Sequence, residues 1–388
     1  MAGPSPLNDS QLMAQALSLA RRGYGMTSPN PMVGAVLVKG GKIIGRGWHH
    51  RAGEAHAEIE ALRDAQRRGQ NPKGAALYVT LEPCSTHGRT PPCTEAIIAA
   101  GLRRVIVGAT DPNPDHCGKA FNILNRSEIP VKHGVLAEEC ASLNEAFNHW
   151  IVRRTPFVTV KAAMTLDGKI ATAAGESKWV TGPMARAYGM RLRQGADAIV
   201  VGINTIFHDN PRLTVRGQKA EKKLRRIVLD SFARTPLDAR VINDRDAKLT
   251  TIVVSEAAPK SRVAALGRRV NVLLAPDATG QSRAAQFPKI NLRWLMKRLG
   301  SENVTNLLVE GGGEVNASFL LQRLAHRIAF FYAPKVLGGR DARRAVAGEG
   351  ARKMEEALDL TDIKWHKLGP DLFLTARVAE IQRPPACK

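Results

Sequence analysis

Three residues of this chain have the side chains and the spacing of a metal centre. His56 is followed two residues later by Glu58, and Cys84 and Cys93 each come directly after a proline. A His nitrogen and two Cys thiolates give Zn²⁺ three protein ligands and leave a fourth position for water, as in catalytic zinc sites. Zinc lowers the pKa of such a water toward neutrality. The sequence therefore predicts His56, Cys84 and Cys93 as zinc ligands.

Glu58 distinguishes a catalytic zinc site from a structural one. It is too close to His56 to be a second ligand on the same helical face, but it is well placed to carry protons for the water. A His-x-Glu pair with a later Pro-Cys and a further Cys is typical of zinc deaminases, in which the Glu is not a ligand. The alternatives are a structural zinc knuckle closed by His87, or two buried thiols. Both leave Glu58 without a use, so the catalytic interpretation is favoured.

Composition favours a two-domain globular protein. The chain has 388 residues, which is long for one domain, and 44% of them are hydrophobic. No apolar run is long enough to span a bilayer, and residues 1–10 lack the apolar stretch of a signal peptide. The five cysteines are an odd number, and two are assigned to metal, which argues against a disulfide framework. We therefore expect a protein of the reducing cytoplasm.

The formal net charge of +22 raises the question of nucleic-acid binding. The excess is scattered, with local clusters at Lys222, Lys223, Arg225 and Arg226, and at Arg340, Arg343 and Arg344. Aromatic residues make up only 5% of the chain, too few for an evident base-stacking platform. The composition favours a basic surface in which a few cations bind substrate or cofactor phosphates.

Helical and strand patterns alternate along the chain, which predicts α/β folds. The first part has helix patterns at 11–21, 56–68 and 94–100, and strand patterns at 33–38, 43–48, 76–81 and 105–108. After a linker at 153–156, strands are expected at 157–163, 198–201, 226–229, 251–254, 270–274 and 306–309. We place the domain boundaries at 1–152 and 153–388, and expect a solvated loop or a basic helix start at 219–226.

Gly311, Gly312 and Gly313 lie between the last of these strands and a helix pattern that continues to Arg323. Glycines at such a position let backbone N–H groups approach a phosphate at the helix N-terminus. The alternative is a tight strand–helix turn with no ligand. The first interpretation predicts a dinucleotide or another phosphorylated ligand.

Longer segments carry a family resemblance. The segment Cys-Ser-Thr-His-Gly-Arg-Thr-Pro-Pro-Cys at 84–93, with His-Ala-Glu at 56–58, resembles the bifunctional deaminase–reductase family of riboflavin biosynthesis. Similar segments are 29–34, 111–114, 166–169, 175–179, 209–211, 213–216 and 310–313, so the resemblance covers roughly residues 8–378. The sequence differs from the usual family pattern at Met32, Thr86 and Ala120, positions that the resemblance associates with first-substrate binding.

The resemblance implies a cytidine-deaminase-like three-layer α/β/α domain followed by a dihydrofolate-reductase-like α/β domain. It implies zinc-dependent deamination of 2,5-diamino-6-(5-phosphoribosylamino)pyrimidin-4(3H)-one, with Glu58 as the catalytic residue. It further implies NADPH-dependent reduction of the ribosyl chain to give 5-amino-6-(5-phosphoribitylamino)uracil. The expected partners are small phosphorylated pyrimidines, without nucleic acid or membrane, and a homo-oligomer is compatible with the sequence.

The same resemblance assigns site residues. Asn30, His49 and Arg89 would contact the first substrate. NADPH would lie against Ala163, Trp179, Thr205, Asp209, Ser231, Gly312, Gly313, Glu314, Val315, Asn316, Ala317 and Ser318. The second substrate would be held by Ser177, Arg193, Leu213, Arg216 and Glu310, and the two arginines suit its phosphate.

Two other functions remain compatible with the zinc pattern. A zinc deaminase acting on nucleic acid would fit the charge, but would leave the second half of the chain without a purpose. A zinc-stabilised binding protein would have no chemistry to perform.

Overall fold

The computed structural model describes residues 7–86, 91–217, 222–276 and 290–379. The chain divides after Arg154 into two compact units, called here the first and the second unit. In the described ranges, no helix combines the length and the apolar character needed to cross a membrane.

The first unit is a five-stranded sheet with helices on both faces. Its strands are β1 Gly34–Lys39, β2 Lys42–Trp48, β3 Ala76–Leu81, β4 Arg104–Ala109 and β5 Val131–His133, in the order β2-β1-β3-β4-β5. Its helices are α1 Asp9–Ala20, α2 Ala57–Arg67, α3 Cys93–Ala99, α4 Lys119–Arg126, α5 Ala137–Leu143 and α6 Glu145–Arg153. Strands β3, β4 and β5 are parallel, whereas β1 is antiparallel to both of its neighbours.

Alternation along the strands produces the two helical layers. In β3, Leu77 and Val79 pack with α2, α3 and α4, whereas Ala76 and Tyr78 pack on the other side with α1 and α5. Successive side chains of a strand point to opposite faces, so an apolar strand can bury both. The predicted three-layer α/β/α arrangement is confirmed.

The second unit contains a nine-stranded sheet in the order β11-β10-β9-β8-β12-β6-β13-β16-β15. Its strands are β6 Phe157–Thr165, β7 Lys169–Ala171, β8 Ala198–Gly202, β9 Arg225–Leu229, β10 Thr250–Ser255, β11 Asn271–Ala275, β12 Asn306–Val309, β13 Arg327–Ala333, β14 Arg343–Arg344, β15 Leu360–Leu368 and β16 Asp371–Val378. Its helices are α7 Pro183–Gly195, α8 Ile203–Asp209, α9 Arg240–Asn243, α10 Lys260–Gly267, α11 Leu292–Ser301 and α12 Gly313–Leu321. Strands β7 and β14 form a separate two-stranded sheet.

In sheet order, the strands from β11 through β10, β9, β8, β12 and β6 to β13 are all parallel. Strands β16 and β15 add an antiparallel edge. One face of the sheet packs against α11 and α12, and the other against α8, α9 and α10. Because both faces are covered, the central strands are nearly continuous apolar runs. The predicted α/β class is confirmed for this unit, and the carboxyl ends of its parallel strands meet at one edge.

The expectation of a solvated loop or basic helix start at 219–226 is wrong at Arg226. This residue lies in β9 and is fully buried. Its guanidinium donates to both carboxylate oxygens of Asp244, at 2.6 and 2.9 Å, and to Thr250 Oγ1. A buried arginine is tolerated when it is paired and hydrogen-bonded in this way. Residues 218–221 lie outside the described ranges.

Three of the cysteines in the described ranges, Cys84, Cys93 and Cys140, are free thiols.

Candidate active sites

The three predicted zinc ligands lie together in the first unit. His56 is the residue before α2, Cys84 follows β3, and Cys93 begins α3. His56 Nδ1 lies 3.5 Å from Cys84 Sγ and 3.3 Å from Cys93 Sγ. Tetrahedral zinc with its usual bond lengths to sulfur and nitrogen separates the two ligand atoms by about 3.5 Å. The three side chains therefore fit a zinc ion, and Nδ1 is the nitrogen that would bind it.

Local sequence explains why the ligands converge. Gly45 and Gly47 of β2 face α2, and a Cβ at Gly47 would collide with the Ala57 carbonyl. With Ala61 and Ala65 on its facing side, α2 lies directly on the strand, which fixes the start of the helix. Across the cluster, the Cys93 backbone N–H donates to Cys84 Sγ at 3.2 Å.

Glu58 occupies the first turn of α2 and is buried. Burial and the nearby Cys84 sulfur raise the pKa of this carboxyl from 4.5 to about 7. A group with such a pKa gains or loses a proton near neutral pH, which suits a general acid and base. Among the described residues, the metal-ligand cluster has three members and Glu58 is not one of them. His87, the alternative fourth ligand, lies outside the described ranges.

Two of the three residues expected to contact the first substrate lie beside the cluster. The buried His49 ring stands edge-on to His56, with ring centroids 5.4 Å apart. Its Nδ1 donates to the Ala55 carbonyl at 3.0 Å, so Nε2 accepts from Asn30 Nδ2 at 3.2 Å. Burial lowers the pKa of His49, which favours the neutral ring that this arrangement requires. The third residue, Arg89, lies outside the described ranges.

Glu82, two residues before Cys84, is a further residue of this site that the sequence patterns did not indicate. Its buried carboxylate accepts backbone N–H bonds from Asp111 at 3.2 Å, Gly118 at 3.0 Å and Ala120 at 3.1 Å. It therefore ties the loop before α4 to the strand end that carries a zinc ligand. The signal available in the sequence was a carboxylate at the end of an apolar strand, directly before Pro83-Cys84.

The three residues that differ from the family pattern each have a polar contact with a nearby residue. The Met32 backbone exchanges two hydrogen bonds of 2.8 Å with the Asn144 side chain. Thr86 Oγ1 lies 3.3 Å from His116 Nε2. Ala120 is fully buried and uses its backbone N–H for Glu82. At Met32 and Ala120 these hydrogen bonds use backbone atoms, so they do not depend on the side chain found at either position.

In the second unit, a cavity of about 1150 Å³ opens at the carboxyl ends of the parallel strands. Such an edge is where open α/β sheets bind ligands. Its wall includes Ala163, Trp179, Thr205, Asp209, Gly312, Gly313, Glu314 and Val315 of the expected cofactor set, and Ser177, Arg193, Leu213, Arg216 and Glu310 of the expected substrate set. The two sets meet where Ser177 Oγ donates to Asp209 Oδ1 at 3.4 Å.

The three glycines before α12 have different roles. A Cβ at Gly311 would collide with Val315, and one at Gly313 with the Arg344 carbonyl, so both glycines allow close packing. A Cβ at Gly312 would meet nothing within 4 Å, although Gly312 lines the cavity and has an ordinary φ of −73°. Neither packing nor backbone conformation requires glycine there. Space kept free at a helix N-terminus fits a bound phosphate.

Arg193, expected to bind the phosphate of the second substrate, has its guanidinium paired with protein groups in the structure. Arg193 Nε and Nη2 each donate to Glu310 at 2.8 Å, and Nη1 donates to the Thr214 carbonyl at 3.0 Å. All three nitrogens are therefore engaged inside the protein. Burial alone would raise the pKa of Glu310, but Arg193 and Lys161 hold it at about 2. Arg216 is exposed at the cavity, so its guanidinium is accessible to a phosphate.

Lys161 was also missed. Its Nζ lies 3.8 Å from Glu310 Oε2, and its side chain lines the cavity. A lysine within the apolar pattern of β6 was the available signal.

Four expected cofactor residues do not line the cavity. Asn316 is buried and donates to the Ala345 carbonyl at 2.8 Å, and Ala317 is buried beside it. Ser318 Oγ donates to the Glu314 carbonyl within α12. The Ser231 carbonyl accepts from Ser255.

Comparisons with known proteins agree with this division. Residues 6–109 match the cytidine and deoxycytidylate deaminase zinc-binding region, and residues 156–374 match the RibD C-terminal domain. The riboflavin biosynthesis protein RibD of Aquifex aeolicus is 42% identical over 366 residues, which is 94% of this chain and 97% of that protein. RibD of Escherichia coli is 36% identical over 376 residues, or 95% of this chain and 99% of that protein. The chain belongs to the RibD family.

Solved RibD structures have the same fold. The Acinetobacter baumannii RibD structure, form 1, is 33% identical, has a TM-score of 0.83, and covers 96% of this chain and 99% of its own. As a RibD family member, the protein is a bifunctional deaminase and reductase of riboflavin biosynthesis, with Zn²⁺ and NADPH as cofactors. A nucleic-acid deaminase is not favoured, because the second half of the chain is the RibD C-terminal domain.

Proposed function

We propose that the first unit deaminates 2,5-diamino-6-(5-phosphoribosylamino)pyrimidin-4(3H)-one. The second unit then reduces the ribosyl chain of the product to give 5-amino-6-(5-phosphoribitylamino)uracil. A Thermotoga maritima structure with these two names, diaminohydroxyphosphoribosylaminopyrimidine deaminase and 5-amino-6-(5-phosphoribosylamino)uracil reductase, supports the proposal. It is 31% identical, has a TM-score of 0.79, and covers 96% of this chain and 99% of its own. The observation that carries the proposal is the buried Glu58 beside three zinc ligands.

In the deaminase site, His56, Cys84 and Cys93 would hold the metal, and zinc bound there would supply an activated water for attack on the ring. The Glu58 carboxylate accepts a proton from this water and passes it to the ring nitrogen. It then carries a second proton, from the added hydroxyl, to the amine, which leaves as ammonia. Asn30 and His49 orient the pyrimidine, because their hydrogen bond fixes both side chains beside His56.

In the reductase site, bound NADPH would supply the hydride, and the residues of the cavity would orient the two reactants. Gly312 leaves space for a cofactor phosphate at the N-terminus of α12. Arg216 is the cavity arginine proposed to bind the substrate phosphate. Arg193 keeps Glu310 ionised and in place, so that the carboxylate can accept a hydrogen bond from the substrate.

The remaining parts of the proposal concern partners and location. Small phosphorylated pyrimidines, without nucleic acid or membrane, remain the proposed partners, and a homo-oligomer in the cytoplasm remains the proposed form. The three free thiols are compatible with a reducing compartment.

Replacing Glu58 tests the proposal. Glu58→Gln should retain zinc and lower the deamination rate by about 10²–10⁴-fold, because the side chain can no longer transfer protons. Reduction of substrate that is already deaminated should continue at the wild-type rate. Glu60→Gln, a change in the same helical turn, is the control and should leave both rates unchanged. Near-normal deamination by Glu58→Gln would make the metal site structural, and loss of both activities would contradict separate sites.

A further inference from the structure

Two adjacent arginines of the cavity wall have no role in the activities described above. Arg343 and Arg344 form β14, line the cavity and are exposed. Among the described residues, neither guanidinium forms an ion pair. Arg343 Nη2 would lie 3.6 Å from a Cβ placed at Gly175, so this guanidinium lies beside another residue of the cavity wall. The pair belongs to one of the basic clusters in the sequence.

The segment 343–348, called here the arginine strap, is held on one side by β7. Arg343 pairs with Ala171 and Arg344 with Lys169 in an antiparallel ladder. The Ala345 N–H then donates to the Gly168 carbonyl at 2.9 Å. These bonds fix the backbone of both arginines while their side chains remain accessible.

The other side of the strap is held by α12. Asn316, which is fully buried, donates to the Ala345 carbonyl at 2.8 Å, and the Ala347 N–H donates to the Gly313 carbonyl at 3.1 Å. The Arg344 carbonyl lies where a Cβ of residue 313 would be, so Gly313 is required for this contact. The strap is therefore fixed against the turn in which Gly312 leaves space. Asn316 does not line the cavity itself, but its hydrogen bond positions the strap that does.

The charge of the cavity supports an anionic occupant. Nine Lys and Arg residues line it against three carboxylates, a formal excess of six positive charges. A phosphate monoester carries a charge of about −2 near neutral pH. NADPH, with a pyrophosphate and a 2′-phosphate, and a phosphoribosyl substrate together carry about −6 on the same basis. The cavity therefore has the charge that both ligands require, and the strap contributes two of its cations beside the glycine turn.

We propose that the arginine strap binds a phosphate group of NADPH, with Arg343 and Arg344 completing the anion site that begins at Gly312. A planar guanidinium can donate two parallel hydrogen bonds to one phosphate, and these are stronger than bonds between neutral groups. The proposal rests on the reductase function above and adds two cofactor-binding residues to it.

Direct binding of NADPH to the full-length protein tests the strap. We would titrate NADPH while following protein fluorescence, at several salt concentrations, without pyrimidine substrate. The double variant Arg343→Gln/Arg344→Gln should bind NADPH at least about 10-fold more weakly than wild type, because charged hydrogen bonds are lost. Its affinity should also fall less steeply with salt. Arg340→Gln, a charge change in an exposed residue outside the cavity wall, is the matched control and should bind as wild type does.

Two further arms make the result specific. Arg343→Lys/Arg344→Lys preserves the charge and should recover part of the lost affinity, which keeps the test valid if the Gln pair disturbs β14.

If the affinity for NADH falls as much as the affinity for NADPH, the strap binds the pyrophosphate. If only NADPH weakens, the strap binds the 2′-phosphate. Equal NADPH affinity in the double variant and the Arg340→Gln control would overturn the proposal, as would a raised substrate KM with unchanged NADPH affinity. Wild-type protein that binds no NADPH would instead contradict the reductase function itself.

Discussion

Replacing Arg193 with Ala distinguishes a structural arginine from a phosphate-binding one. Removing it leaves the Glu310 carboxylate, whose side chain is 11% exposed, without its bidentate partner. Breaking a buried ion pair from one side typically costs about 3–5 kcal/mol. Lys161 remains 3.8 Å from Glu310, so we expect the lower end of that range. For a unit of this size, about 3 kcal/mol lowers Tm by roughly 6–12 °C.

Calorimetry and urea unfolding of the full chain measure this loss, with the transition of the second unit followed separately. Arg216→Ala is the control, because this exposed arginine should affect the substrate KM and leave Tm unchanged. Adding Glu310→Gln to Arg193→Ala should restore part of the stability, since a neutral amide is less costly to bury than a lone carboxylate. If Arg193→Ala keeps the wild-type Tm and only raises the substrate KM, the reasoning is refuted and Arg193 binds substrate directly.

The same ion pair predicts a pH dependence. The pKa of Glu310 is about 2 in the folded chain, below its ordinary 4.5. A carboxyl with a lowered pKa contributes stability that is complete above 4.5 and is lost as the pH falls toward 2. The stability difference between wild type and Glu310→Gln should therefore shrink between those pH values. A difference that stays constant across this range would contradict the assigned ionisation.

The other predictions concern the metal centre and the glycine turn. Cys84→Ser and Cys93→Ser should each lose bound zinc and deamination, whereas the control variant Cys140→Ser, at a buried thiol outside the cluster, should keep zinc. Metal analysis that finds full zinc in either of the first two variants would exclude that thiol as a ligand. Gly312→Val should raise the Kd of NADPH by about 10-fold or more while Tm stays near wild type, because its side chain enters the cavity and displaces charged hydrogen bonds. Gly313→Ala should instead lower Tm through its collision with the Arg344 carbonyl, and equal effects of the two changes on Tm would refute this division.

Sequence alone determined the features that depend on short-range pattern. The type and spacing of His56, Glu58, Cys84 and Cys93 predicted a zinc site with its proton carrier, and the structure brings the three expected ligands together. Strands such as β3 and β12 begin and end where their apolar runs do. Helix α1 begins two residues before the predicted position, because Asn8 and Gln11 form a capping box. Local periodicity and capping are encoded within a few residues, so they can be read before the fold is known.

The tertiary structure decided which polar side chains are free to meet a ligand. Arg193 and Arg216 have the same chemistry in the sequence. Among the described residues, Arg193 meets a carboxylate, Glu310, which is 117 residues away, whereas Arg216 is exposed at the cavity. Gly311, Gly312 and Gly313 are identical residues in the sequence, but of the three only Gly312 could take a Cβ atom without meeting another atom within 4 Å. Arg226 lies in a basic cluster of the sequence and is nevertheless buried against Asp244. Whether a charge is paired, buried or exposed depends on contacts between distant segments, and local sequence does not specify those contacts.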